Sequence, residues 1–177
     1  MLYTRKGDNG NTSLYGSKDK LSKSSRITEG LGSLDEINSF LGICKVKVKD
    51  VDSKVYEMIN HVQNNLFIVQ AQVAGADKKI KEGEIELIED VINNIEKLLP
   101  PITTFLVSGS SELSAYFDFA RTLVRRSERR LVAVNETNIG RIDDYTLSYM
   151  NRLSSLMYAY ARFFANNHGF VEKAPTY

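Results

Sequence analysis

The sequence predicts an all-α protein: one domain over residues 1–177, in which an irregular segment (1–27) leads into a five-helix bundle (28–168). Three observations carry that expectation. Apolar residues recur at spacings of three and four along five long stretches, as amphipathic helices require. No stretch alternates as a half-buried strand does, and the connections are short, which suits a helical bundle. The length, 177 residues, is enough to bury one substantial core without a second domain.

Residues 1–27 differ in kind from the rest. Met1 to Gly16 is rich in Gly, Asn, Asp, Ser and Thr, with an Asn-Gly turn signal at Asn9-Gly10, so no helix is expected there. Glycines flanked by hydroxyls and cations can cradle phosphate through backbone amides, but a polar glycine-rich terminus can equally be a plain loop. No Gly-Lys-Ser/Thr follows at Walker spacing, and the ligand positions of an EF-hand are missing. Helix one is expected to start near Ser33, where Ser33-Leu34-Asp35-Glu36 has the form of a capping box, or as early as Thr28. Leu34, Ile37, Leu41, Cys44 and Val48 form its apolar stripe. Asp35 then lies near the positive end of the helix dipole.

Helix two (about 53–75) carries Val55, Ile59, Val62, Leu66, Val69 and Val73, and Gly75 can end it. His61 falls on its polar or boundary face. Helix three (about 84–98) uses Ile88, Val91, Ile92, Ile95, Leu98 and Leu99 and is stopped by Pro100-Pro101. An extended apolar connection, Thr103 to Ser110, follows; the plainer of two readings of Phe105 is a core plug beneath the loop. Ser110 or Ser111 caps helix four, which runs to about Asn135. Asn138-Ile139-Gly140 makes the last turn, and Asp143 or Asp144 caps helix five, with Leu147, Met150, Ser154, Met157, Ala161 and Phe164 facing inward. The tail after Gly169 has no expected structure.

Helix four holds the most informative pattern. On a wheel of about 100° per residue, Leu113, Phe117, Ala120, Val124, Ser127, Leu131 and Val134 share one side. Arg121, Arg125 and Glu128 line one border of that stripe, while Arg126 and Arg130 point away. Two half-buried guanidinium forks along one edge suit an anion; a solvated, internally paired charge run is the other reading. Tyr116, Phe119 and Leu123 flank the main stripe, extra apolar surface that hints at contact between subunits.

Composition narrows the function classes. A net charge of +1 speaks against nucleic-acid binding through bulk electrostatics, so any anion site must be local. Cys44, the single cysteine, cannot form an intrachain disulfide, and His61 and His168 are the only histidines. Neither a His-built metal site nor a Ser-His-Asp triad is expected, although one His with carboxylates stays open. No apolar run reaches the roughly 18 residues of a membrane span and no basic-apolar leader is present, so a cytoplasmic, reduced protein is expected.

Four stretches in order carry a resemblance to a known family. These are Tyr3-Thr4-Arg5-Lys6-Gly7-Asp8-Asn9-Gly10-Asn11-Thr12-Ser13-Leu14; Gly32-Ser33-Leu34-Asp35-Glu36-Ile37-Asn38-Ser39; Phe105-Leu106-Val107-Ser108-Gly109-Ser110 with Ala120-Arg121-Thr122-Leu123-Val124-Arg125-Arg126-Ser127-Glu128-Arg129; and Met150-Asn151-Arg152-Leu153-Ser154. Together they resemble the PduO-type ATP:cob(I)alamin adenosyltransferases, the corrinoid adenosyltransferase family, over nearly the whole length. The resemblance implies a homotrimer with ATP held between neighbouring subunits. It implies transfer of the 5′-deoxyadenosyl group of ATP to the cobalt of a corrinoid such as cobalamin, with triphosphate released and Mg²⁺ assisting.

By position, the resemblance has Thr4, Arg5, Lys6, Gly7, Thr12, Ser13 and Lys23 wrap the triphosphate from one subunit. Arg125, Arg126, Glu128, Arg129 and Asn151 complete the nucleotide site from the other. It has Asp35 pair with Arg121 on the corrinoid side and Phe105 press on the lower face of the corrin ring. Val107-Ser108-Gly109-Ser110 departs from the family's turn by lacking its proline and second glycine, and Ser155 stands where the family has Asp. A cobalamin reductase and an adenosylcobalamin-dependent enzyme are candidate partners; the metal ligands are not specified. Two other readings stand beside the enzyme: an ATP-gated carrier delivering corrinoid to a partner, and a structural bundle whose arginines form only a surface network.

Overall fold

The computed structural model describes residues 3–14, 16–17, 19–139, 142–167 and 173–176. A two-stranded antiparallel ribbon, β1 (Asn11–Ser13) and β2 (Lys20–Ser22), precedes helices α1 (Arg26–Val48), α2 (Ser53–Val73), α3 (Glu82–Glu96), α4 (Glu112–Val134) and α5 (Asp144–Asn167). The five-helix expectation holds. The ribbon, registered Thr12 against Leu21, was not expected, because its strands are too short to show alternation.

Local chemistry fixes the helix ends. Ser25, not Ser33, caps α1: its Oγ accepts the amide of Thr28 at 3.4 Å. Ser33 is buried within the helix and donates its hydroxyl to the carbonyl of Gly30 at 2.8 Å. Asp35 therefore sits about two and a half turns inside α1, beyond the reach of the N-terminal dipole. Asp52 caps α2 through the amides of Lys54 and Val55 at 2.9 and 3.0 Å. Gly75, at φ 97°, supplies the left-handed exit from α2. Ser111 caps α4 through the amide of Ser114, and Asp143 caps α5 through that of Thr146 at 2.9 Å.

Between α4 and α5 a π-helical turn spans Asn135–Ile139 where a plain turn was expected; Gly140, like His168, lies outside the described residues. Asn135 clasps this connection, donating Nδ2 to the carbonyl of Ile142 at 2.9 Å while Oδ1 accepts its amide at 3.2 Å.

The stripes read from spacing converge on one core. Leu34, Ile37, Leu41 and Cys44 of α1 meet Ile59, Val62, Leu66 and Val69 of α2 and Phe117, Val124 and Leu131 of α4, all fully buried. Helix α4 is central, packing on α5 and α1, whereas α3 packs on α5. At the α1–α4 seam a Cβ on Gly30 would lie 3.3 Å from Val134 Cγ2, so glycine permits the close approach. Nearby, the hydroxyl of buried Ser127 donates to the carbonyl of Ser33 at 2.8 Å. On α5, Phe164 stacks on Phe117 at 5.5 Å. Two stripe assignments change. Leu98 is 71% exposed because α3 ends before it, and Leu123 is 8% exposed, a core residue rather than a flanking one. Phe119 does stay half-exposed, edge-on to Phe40 at 5.0 Å. Among the described residues no helix is long and apolar enough to cross a membrane.

Candidate functional site

The N-terminal segment builds the first cluster of predicted site residues. Arg5 adopts a left-handed φ of 58°, unusual for a side-chain-bearing residue, and the amide of Lys6 donates to Thr4 Oγ1 at 3.4 Å. The amide of Gly10 then donates to the carbonyl of Gly7 at 3.2 Å. The amide of Lys23 donates to the carbonyl of Gly10 at 2.9 Å, which folds β2 back onto the loop. A Cβ on Gly7 would lie 2.9 Å from Lys23 Nζ, so the glycine leaves room for that ammonium. Arg5, Lys6 and Lys23 thus gather at one exposed turn, with Thr12 and Ser13 on the adjacent strand. Thr12 and Ser13 also edge a shallow hollow completed by Leu31 of α1 and Phe67 and Gln70 of α2.

The second cluster lies on α4 and α5. Asn151 donates Nδ2 to Glu128 Oε1 at 2.9 Å, joining the two helices at residues read as border positions. Arg125 and Arg129 are exposed and make no ion pair or hydrogen bond among the described residues. Their neighbours do: Arg126 pairs with Glu36 and Arg130 with Glu29 at 3.3 Å, both across the α1–α4 seam, while Arg26 of α1 pairs with Glu136 of the π-helical turn at 3.2 Å. The wheel separates these groups for a physical reason. One border of α4 faces acids on α1; the other faces the groove toward α5. Arg126, grouped with the nucleotide residues by motif, is engaged structurally.

Between these helices and the 102–110 loop lies a cleft of about 830 Å³. Its walls include Phe105, Ser110, Asp118, Arg121, Arg125, Ser154, Ser155, Tyr158 and Arg162. Phe105 is 81% exposed and faces this space, which overturns its reading as a core plug. Gly109 keeps a positive φ of 89°, so the departed turn retains the glycine whose conformation it needs. Arg125 belongs both to the cleft wall and to the α4 border carrying Glu128, and so connects the two halves of the predicted chemistry.

Within one chain Arg121 does not meet Asp35. Its Nε lies 3.8 Å from Asp118 Oδ1, and its guanidinium sits over Tyr158 at 5.7 Å. Asp35 is exposed beside a separate hollow formed by α1 and α2, with Asn38, Gln63 and Phe67. The pairing fails inside the chain because residue 35 faces α2 while residue 121 faces α5. Asp118 lines the cleft and was not picked out by sequence reasoning. A carboxylate one place after Phe117 in the core stripe was the available signal. Among the described residues no cluster of three or more His, Cys, Asp or Glu side chains is placed to hold a metal ion.

The family model for cobalamin adenosyltransferases matches residues 2–164. The corrinoid adenosyltransferase of Citrobacter freundii is 33% identical over 168 residues, covering 91% of this chain and 93% of its own. Corrinoid adenosyltransferase PduO from the same organism is 34% identical over 168 residues, and the chain spans about half of that protein's length (49%). A solved variant of a PduO-type ATP:corrinoid adenosyltransferase from Lactobacillus reuteri, complexed with cobalamin and ATP, superposes with a TM-score of 0.91 at 26% identity. The match covers 99% of this chain and 96% of that one.

Proposed function

The chain belongs to the cobalamin adenosyltransferase family, and we propose that it transfers the 5′-deoxyadenosyl group of ATP to the cobalt of a reduced corrinoid. One observation carries the reading. The exposed ring of Phe105 overhangs a cleft whose wall contains Arg125, and Arg125 continues along α4 into the Glu128–Asn151 border. A corrin ring in the cleft and a nucleotide on that border would be neighbours.

The chemistry asks for positioning rather than acid–base groups. The lone pair of Co(I) attacks C5′, the Co–C bond forms, and the C5′–O bond breaks with its electrons leaving on triphosphate. The protein's part is to align cobalt and carbon and to stabilise the departing charge. Arg125, Arg129, Lys6 and Lys23, together with the amides of the Thr4–Gly7 turn, suit that role. Mg²⁺ would come with the nucleotide phosphates and help to neutralise the departing charge, and Glu128 is the carboxylate of this border that could help to hold it. Phe105 brings an apolar face with no metal-ligating atom, which favours cobalt stripped of its lower axial base and so eases reduction of Co(II).

The two clusters of nucleotide residues lie on different grooves of one chain, the N-terminal turn beside α1 and α2 and the arginine border beside α5. A site shared between copies, as in a homotrimer, brings them together. The same arrangement offers Asp35 of one copy to Arg121 of the next. The test is to mix the protein with Mg-ATP and chemically reduced cobalamin and follow adenosylcobalamin absorbance. Formation with multiple turnovers supports the enzyme; no product from a folded protein overturns it, and tight retention of both ligands without turnover would identify a carrier.

A further inference from the structure

The loop bearing Phe105 is tied down at alternate residues. The amide of Val107 donates to the carbonyl of Lys173 at 2.8 Å, the amide of Gly109 donates to Asp118 Oδ2 at 3.2 Å, and Ser111 Oγ donates to the carbonyl of Phe164 at 3.4 Å. Two of these ties end on backbone carbonyls. The middle one ends on the carboxylate of Asp118, whose side chain is only 12% exposed. A buried carboxylate needs compensation from donors or positive charge, and Asp118 has both within reach, with Oδ1 3.8 Å from Arg121 Nε. Among the described residues lining the cleft, Asp118 is the only carboxylate, sharing its wall with Arg121, Arg125 and Arg162.

We infer that Asp118 is a positioning residue for the corrinoid half of the site: one oxygen fixes the Gly109 turn that presents Phe105, and the other holds Arg121 by charge. The inference rests on the proposed adenosyl transfer. Gly109 is where the turn adopts its left-handed conformation, four residues beyond Phe105, so the bond restrains the point at which the loop reverses. The departed sequence Val107-Ser108-Gly109-Ser110 lacks a proline to stiffen this turn, and the carboxylate supplies the restraint from α4 instead. Arg121 lies one helical turn beyond Asp118 and also lines the cleft, so one side chain registers two walls of the space against each other.

The substitutions separate the two oxygens' roles. Asp118→Ala removes both. Asp118→Asn keeps an oxygen to accept the Gly109 amide but loses the charge facing Arg121. The measurements are the rate of adenosylcobalamin formation started from Co(I) and from Co(II) with a reductant, and the fraction of bound Co(II) corrinoid that has lost its axial base, read by its absorption spectrum with Mg-ATP present.

Asp118→Ala is expected to slow the Co(II)-started reaction about ten-fold more than the Co(I)-started one, as loss of a charge-assisted tie implies, and to lower the axial-base-free fraction. Asp118→Asn is expected to keep the wild-type ratio between the two starting states while slowing both. Asp118→Ser, too short to reach Gly109, carries the same expectation as Asp118→Ala if the alanine variant does not fold. Equal slowing from both states by Asp118→Ala or Asp118→Ser, no slowing, or an Asp118→Asn ratio matching the alanine variant's would overturn the inference. A wild-type protein that makes no adenosylcobalamin from Co(I) would instead refute the reaction on which it rests.

Discussion

Arg125 and Arg126 are adjacent in sequence and alike in chemistry, yet the structure predicts opposite consequences for removing them. Arg125 has no ion pair or hydrogen bond among the described residues, so Arg125→Ala leaves the free protein's interactions almost unchanged. Under its proposed role the loss should fall on the nucleotide complex, where one charge-assisted contact is worth roughly 1.5–3 kcal/mol, or about 10- to 150-fold in kcat/KM for ATP. Arg126 pairs with Glu36 across the α1–α4 seam, with the two side chains 44% and 55% exposed. An exposed pair of that kind contributes roughly 0–1 kcal/mol to stability. Arg126→Ala should therefore lower the unfolding midpoint slightly and change kcat/KM by less than about three-fold. Steady-state kinetics at varied ATP, beside thermal melts of both variants, decide the matter. Near-wild-type kcat/KM in Arg125→Ala would refute the assignment of the two α4 borders; so would an equal fall in both variants.

Three further outcomes follow from the packing. Replacing Gly30 by Val should destabilise the fold by about 1–3 kcal/mol through overpacking against Val134, measured by urea unfolding; an unchanged midpoint would mean the seam yields freely. Partial burial raises the Glu84 carboxyl, but hydrogen bonds from Asn65 and His61 outweigh it, and Asp143 is held low in the same way by Thr146 and Gln72 against its burial. Both lie below their ordinary values of 4.5 and 3.8, so their stabilisation is present above those pH values and is lost as pH falls through the lowered ones. Glu84→Gln/Asp143→Asn should flatten the acid limb of stability against pH, and an equally steep limb would refute this. Burial pushes the Cys44 thiol up to about 12, so native protein should resist a thiol reagent at pH 8 and react once unfolded; rapid native labelling would contradict the packing of α1.

Much of this was legible because periodicity and burial obey the same geometry. The stripes of α1, α2 and α4 needed only spacing, and the wheel also parted Arg125 from Arg126. Helix ends were harder. Ser33-Leu34-Asp35-Glu36 satisfies a capping box, but Ile27 and Gly30 pack against the core, and that burial carries α1 back to Ser25. The residues proposed for the nucleotide came from the motifs, with Lys23 brought to Gly7 by the ribbon rather than by any sequence spacing. Asp118 was hidden, and residue-level reading alone could not choose between a core plug and an exposed ring for Phe105, for a common reason. Both depend on how an irregular loop lies against α4, and no periodicity encodes that.

The proposed contact of Phe105 with the corrin ring predicts a thermal signature on ligand capture. An aromatic ring standing in water orders its hydration shell, and covering it with a flat apolar ligand releases that water. The heat capacity of the complex should then fall below that of the separated partners, and truncating the ring should shrink the difference. Capture of the ring's partner should therefore be more entropically driven at low temperature and more enthalpically driven at high temperature.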